Sequence, residues 1–183
     1  MIFNELAHLK LDIIFQKYNL KVVREFENYI KLQSNMVVIA LGYDKREDAG
    51  FLYAGKDDSS LMLIDGDVIN RFFIMCLENH FIIPEKTQED YVNNILHFFS
   101  DKGRILLEGD VAMIRKIEIY IHTKNRVYSS TLLLEQNLIS ADEAWEINDY
   151  LSFINYINMI NIEVLPPSYA LKYKIASQKL LEK

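Results

Sequence analysis

The chain has 183 residues, half of them hydrophobic and 12% aromatic, with a formal net charge of −6. That length and composition suffice for a sizeable core, which excludes global disorder. The acidic balance lacks the basic footprint of a nucleic-acid binder. The single cysteine, Cys76, excludes an internal disulfide.

With 6 Gly and 3 Pro there is no Pro/Gly-rich linker. A single compact domain over 1–183 is therefore expected, with an α+β part over 1–84 and a helical part over 85–183. No basic segment leads into an apolar stretch at the N-terminus, and no run reaches transmembrane length, so the expected compartment is the cytoplasm. Abundant Ile, Asn, Lys and Tyr point to an AT-rich bacterial genome.

Asn4 is placed to cap a first helix, and Leu6, Leu9 and Ile13, with Ile14 and Tyr18, recur at three- and four-residue steps. This predicts an amphipathic helix over about 4–18, stopped at Asn19. From Leu20 the period changes to two. Leu20, Val22, Phe26, Ile30 and Leu32 share one parity, and Lys21, Glu25, Glu27 and Lys31 the other. Val23 and Arg24 blur the pattern. Two strands around Glu27-Asn28 with one wet face are expected. The continuous apolar run Met36 to Leu41 fits a central strand covered on both faces. Gly42 to Gly50 is a polar loop holding Asp44, Lys45, Arg46, Glu47 and Asp48. Phe51 to Ala54 resumes as a strand, Asp57 to Ser60 turns the chain, and Leu61 to Ile64 forms another short strand.

The remainder reads as helical. Asp67 is placed to cap a helix running through Glu78, with Cys76 a buried, inert thiol inside it. Pro84 breaks the chain. Thr87 with Asp90 resembles a capping box opening a helix with Tyr91, Ile95 and Phe98 on one face, ended by Gly103. After Asp110, Val111, Ile114, Ile117 and Ile121 keep helical spacing, while Ile117, Ile119 and Ile121 also alternate as in a strand. The length of the segment favours a helix over about 110–136. Ser140 with Glu143 predicts the start of a further helix, and a last one follows Pro166-Pro167 from near Ser168, with Tyr169, Tyr173 and Ala176 on one stripe. The fold class is thus α+β: an N-terminal helix, a small antiparallel meander and a mostly helical second half.

Gly50 to Lys56 satisfies the Gly-x4-Gly-Lys part of a phosphate-binding loop, but Asp57 and Asp58 stand where a Ser or Thr should follow. The intervening residues are bulky and strand-like, so a chance match is expected. Asp57-Asp58 and Asp65-Gly66-Asp67 are ordinary turn residues without calcium-loop spacing. His8 with Asp12, and His97 with Asp101, lie one helical turn apart, as pairs on solvated helix faces commonly do. His8, His80, His97 and His122 show no zinc-ligand spacing. Neither cofactor nor metal is expected. The region Ala141 to Tyr150 around Trp145, with Pro166 beyond, looks like one tetratricopeptide-type hairpin, with Asn148 in place of its usual Gly. Such arrays need several units, so Trp145, Tyr150, Phe153 and Ile154 read as core.

The acidity is uneven: residues 1–109 hold 17 acidic and 12 basic side chains, and residues 110–183 hold 9 and 8. Phe15-Gln16-Lys17-Tyr18-Asn19-Leu20-Lys21-Val22-Val23, a helix running into a hairpin, resembles small bacterial immunity proteins of polymorphic or contact-dependent toxin systems. The meander and the helix after Asp65-Gly66-Asp67 continue the likeness over about residues 1–80. The resemblance implies a cytoplasmic protein that binds and blocks a basic toxin or enzyme, without chemistry and without nucleic-acid or membrane partners. Asp44, Glu47, Asp48, Asp57 and Asp58 then form the expected binding surface. The alternative is a helical scaffold or adaptor that engages partners through residues 140–183, with Tyr169, Lys172, Tyr173, Lys174 and Lys179 on its last helix. A third reading is an enzyme in which carboxylates converge, or Cys76 and His97 meet, in space.

Overall fold

The computed structural model describes residues 1–73, 87–161 and 165–181. The chain divides into two compact units, Met1–Ile121 and His122–Lys183, each with its own hydrophobic cluster. Among the described residues no helix is long and apolar enough to cross a membrane.

The first unit opens with α1 (Phe3–Lys17), which buries Phe3, Leu6, Ala7, Leu11, Ile14 and Phe15. Leu9 and Ile13, expected on that stripe, are 69% and 82% exposed. The buried face runs through Leu6, Leu11 and Ile14, one position round from the expected one. Asn4 does not cap the helix but lies inside its first turn. Glu5 reaches back instead, its carboxylate accepting from the Ile2 N–H at 3.3 Å. Asn19 ends the segment with φ +52°, a left-handed position that Asn tolerates.

Five strands follow as an antiparallel meander in the order β1-β2-β3-β4-β5. They are β1 (Lys21–Phe26), β2 (Tyr29–Gln33), β3 (Val38–Asp44), β4 (Ala49–Gly55) and β5 (Met62–Leu63). The hairpin at Glu27-Asn28 forms as expected. Val22 opposes Leu32 and Arg24 opposes Lys31, so Val23 is an extra residue, a β-bulge, which is why the alternation blurs there. The central strand β3 is buried along its length except at Asp44. Ile30, Leu32, Ile39, Leu41 and Leu52 face the helices and join the first cluster.

A short 3-10 turn at Asp58–Ser60 precedes β5, and then α2 (Gly66–Phe73), α3 (Gln88–Ser100) and α4 (Arg104–Leu107) complete the helical layer. The cap of α2 is Asp65, not Asp67: its Oδ1 accepts from the Val68 N–H at 2.9 Å. Asp67 sits in the first turn, where its charge suits the helix dipole. The expected continuation to Glu78, Cys76, His80 and Pro84 lies outside the described residues. Thr87 caps α3 through the Asp90 N–H at 3.1 Å, as expected.

The ambiguous segment after Asp110 is helix, and longer than expected: α5 runs over Val111–Glu146. Ser140 and Glu143 lie inside it and open nothing. No Gly or Pro interrupts residues 111–146, so the capping-box letters there have no break to cap. The helix ends at Asn148 with φ +57°. Asp149 then caps α6 (Tyr150–Asn158) by accepting from the Ser152 N–H at 3.1 Å. With α7 (Pro167–Leu181) this completes the second unit. Its core holds Ala141, Ala144, Phe153, Ile157 and Ala176, with Trp145, Tyr150 and Ile154 packed against it. The tyrosines offered as a docking helix are engaged within the unit: the Tyr169 hydroxyl donates to Asp142 Oδ2, and Tyr173 donates to Asn158 Oδ1 at 3.0 Å. Burial and then the hydrogen bond to Asp142 push the Tyr169 hydroxyl up to about 12. Burial would raise Asp142, but its bonds from Lys172 and Tyr169 outweigh it and hold that carboxyl low.

His8 ties α1 to the edge strand β1. Its Nδ1 lies 2.8 Å from Asp12 Oδ1 and its Nε2 3.2 Å from Glu25 Oε1. A neutral imidazole has one N–H and can serve only one of these contacts, so the pair of contacts requires the cation. The hydrogen bond to Asp12 is the main cause of a raised His8 pKa, burial acting against it. Because the pKa is raised on folding, the stabilisation is complete below the ordinary value near 6.5 and is lost as pH rises through the folded value. His8 is a third exposed, so solvent screens the effect to less than about 1 kcal/mol. The urea midpoint of the first unit is expected to fall as pH rises above the ordinary histidine value in the wild type and to lose that slope in His8→Gln. A flat wild-type profile, or an unchanged slope in the variant, contradicts this.

Candidate protein-binding surface

The register defines what the sheet presents on the side away from the helices. Three rows of directly opposed residues cross it. The first is Phe26, Tyr29, Gly42 and Phe51; the second is Arg24, Lys31, Ala40, Tyr53 and Leu63; the third is Lys21, Gln33, Val38 and Gly55. None of these residues belongs to the core cluster of the first unit. Phe26 is 52% and Leu63 42% exposed, and Tyr29, Phe51 and Tyr53 are half-buried. Val38 and Ala40 are buried, so their larger neighbours form the outward surface above them.

The first row depends on Gly42. A Cβ there would lie 2.1 Å from the Phe51 ring, so Phe51 lies across the backbone of β3. The Phe26 and Tyr29 rings sit 6.2 Å apart at the other end of the row, and the Arg24 guanidinium rests 4.9 Å from the Phe26 ring centre. The result is a partly exposed aromatic strip on the sheet face away from the described helices of the first unit, a surface suited to apolar contact.

Asp44 ends β3 on the outward side beside this row, and its Oδ1 accepts from the Arg46 N–H at 2.8 Å. Glu47 and Asp48 follow in the exposed β3–β4 turn, Asp48 with φ +46°. Glu27, in the β1–β2 turn, borders the opposite end of the row along the same edge of the sheet. The aromatic strip therefore borders on carboxylates, with Lys45 and Arg46 offsetting part of their charge.

The other expected acidic residues are elsewhere. Asp57 and Asp58 follow the far end of β4, seven residues along, or about 20 Å at the usual rise. Both serve local structure. Asp57 Oδ1 accepts from the backbone N–H groups of Ser59 and Ser60, each at 3.0 Å, and from the Ser59 hydroxyl at 2.7 Å. Hydrogen bonds from the two serine residues hold the Asp57 carboxyl below its ordinary value. Asp58 pairs with Lys31 at 2.5 Å. The structure thus keeps Asp44, Glu47 and Asp48 together and separates Asp57 and Asp58 from them.

Gly50 to Lys56 lies mostly in β4, paired with β3 from Gly50 to Gly55 and with β5 at Tyr53 and Ala54, so its extended backbone is not arranged as a phosphate cradle. Cys76 lies outside the described residues, and its pairing with His97 with it. Among the described residues no group of three His, Cys, Asp or Glu side chains is disposed to hold a metal ion. The two nitrogens of His8 point to opposite sides of the ring, so Asp12 and Glu25 do not share one ion with it.

No protein-family model, curated protein or solved structure matches the chain.

The aromatic residues of the strip escaped the sequence reading because a two-residue turn reverses the parity count. Phe26 opposes Tyr29 across Glu27-Asn28, so it shares a face with Tyr29 and not with Ile30. Carrying the alternation across the turn in this way finds Phe26 and Tyr29 on the wet face.

Proposed function

We propose that the chain is a non-catalytic protein-binding module of the toxin-immunity type, holding a basic protein partner on the outward face of its sheet. The observation that carries this reading is the half-exposed aromatic row Phe26, Tyr29 and Phe51, bordered by Glu27, Asp44, Glu47 and Asp48. Aromatic side chains are rigid and give much contact area at little entropic cost, and they dominate binding hot spots. A carboxylate border speeds encounter with a basic partner and selects against an acidic one. The net charge of −6 supports the same polarity. The immunity character rests on the layout of helix and meander described above.

Affinity capture from the source cells, followed by reconstitution with the purified partner, tests the reading. The partner is expected to be basic, to dissociate as salt rises, and to be toxic to cells unless the chain is co-expressed. Phe26→Ser with Asp44→Lys should raise its Kd at least tenfold and abolish protection, with the unfolding midpoint almost unchanged because both sites are exposed. An acidic partner, a non-toxic one, or one held equally by the variant overturns the proposal.

A further inference from the structure

A cavity of about 590 Å³ lies in the first unit between β4–β5 and the helices α2 and α3. Its size is that of a site for a small molecule or a large side chain. Four aromatic residues line it, Phe51, Tyr53, Tyr91 and Phe98, and the charged residues of its lining are Asp48 and Asp65. Among the described residues, no Lys, Arg or His is part of that lining. The N-terminus of α2 borders the cavity, but Asp65 satisfies the Val68 N–H and Asp67 offsets the dipole, so the helix end does not make it an anion site. Asp48 stands in the acidic β3–β4 turn, and Phe51 belongs both to the cavity and to the outward aromatic row.

We infer that this cavity is an anchor pocket for an arginine side chain of the basic partner. The inference rests on the protein-binding reading above and adds a specific contact to it. An arginine stem is apolar and its planar guanidinium stacks on aromatic rings, while Asp48 supplies the opposite charge. A wall of aromatic residues with that carboxylate at its rim, and with no cation among the described residues, matches that side chain and disfavours an anionic one. Arginine is also among the residues that most often carry the energy of an interface.

Benzamidine is the probe, with benzoate as its anionic counterpart of like shape. Calorimetric titration of the full chain is expected to show saturable benzamidine binding at least tenfold tighter than benzoate. Asp48→Asn keeps a residue that tolerates φ +46° and removes the charge, and it should weaken benzamidine at least threefold. Gly66 lines the cavity, and a Cβ there meets nothing within 4 Å. Gly66→Trp can therefore occupy the cavity without a backbone clash and should abolish binding. Absence of saturable benzamidine binding, equal binding of benzoate, or unchanged binding in Gly66→Trp overturns the inference. Saturating benzamidine should also release the captured partner. Benzamidine binding without that release assigns the pocket to a free organic cation and overturns the arginine anchor. Failure of benzamidine with intact Phe26-dependent partner binding sinks the pocket and leaves the binding face standing.

Discussion

Phe153→Ala is expected to unfold the second unit at concentrations of urea that leave the first intact. Phe153 is fully buried at the centre of a small cluster that otherwise holds mainly Ala and Ile. Truncating a buried phenylalanine removes its transfer free energy and leaves a cavity, together worth about 3–5 kcal/mol. A small unit has little surplus stability to absorb that loss. The readout is built into the chain, because Trp145 is its only tryptophan and its ring lies 5.3 Å from that of Phe153. Tryptophan emission therefore reports the second unit, and hydrogen exchange at the β3 amides reports the first. The variant should show red-shifted emission and an early fluorescence transition, with β3 protection retained. An unchanged fluorescence midpoint, or loss of β3 protection in the same transition, contradicts the expectation.

The second large effect concerns Gly50. A Cβ at this position would lie 2.1 Å from the Tyr91 ring, well inside van der Waals contact. Any retreat of Tyr91 costs contacts that hold it in place. It is 4% exposed, its hydroxyl donates to the Phe51 carbonyl at 2.6 Å, and its ring lies 6.0 Å from Phe3 and 6.2 Å from Tyr43. Gly50→Val should cost about 2–4 kcal/mol through overpacking and the strained or broken hydrogen bond. Clash and loss of a ring are opposite insults, so Gly50→Val with Tyr91→Ala should be more stable than the sum of the two single changes predicts. Additive free energies from urea titration would show that Tyr91 is not the obstacle. The single variant should also lose benzamidine, since Gly50 and Tyr91 both line the cavity.

Much of the architecture was legible because hydrophobic period and turn chemistry agree in this chain. The helix–meander–helix order, the hairpin at Glu27-Asn28, the central position of β3 and the Thr87 cap all follow from local pattern. The differences share a cause: a local pattern does not contain the tertiary partner that decides between its alternatives. Asp65 and Asp67 are equally good caps on paper, and only the position of Val68 separates them. Ser140 and Glu143 spell a cap, yet Leu138, Ala141 and Ala144 pack best if α5 continues. Leu9 and Ile13 fit a helical stripe as well as Leu11 and Ile14 do, until the sheet fixes which side is covered.

The candidate surface was half legible. Asp44, Glu47 and Asp48 stand out as a charged loop and remain exposed. Asp57 and Asp58 look similar, but a turn and Lys31 take them up. The aromatic row is assembled from three strands by register, and no single segment contains it. Neither does any segment contain the cavity, whose walls come from residues 48–53, 63–69 and 91–98.

The bulge at Val23 has a bearing on solubility. An exposed aromatic sheet face favours contact with another chain, and an open edge strand lets such contact grow by strand addition, the first step of ordered aggregation. Here one border strand is the two-residue β5, too short to template a newcomer. The other, β1, is kinked by the bulge and carries Lys21, Arg24 and Glu25. Both borders are blunted, so the sheet can leave its aromatic face exposed without offering another chain a long, straight edge to extend.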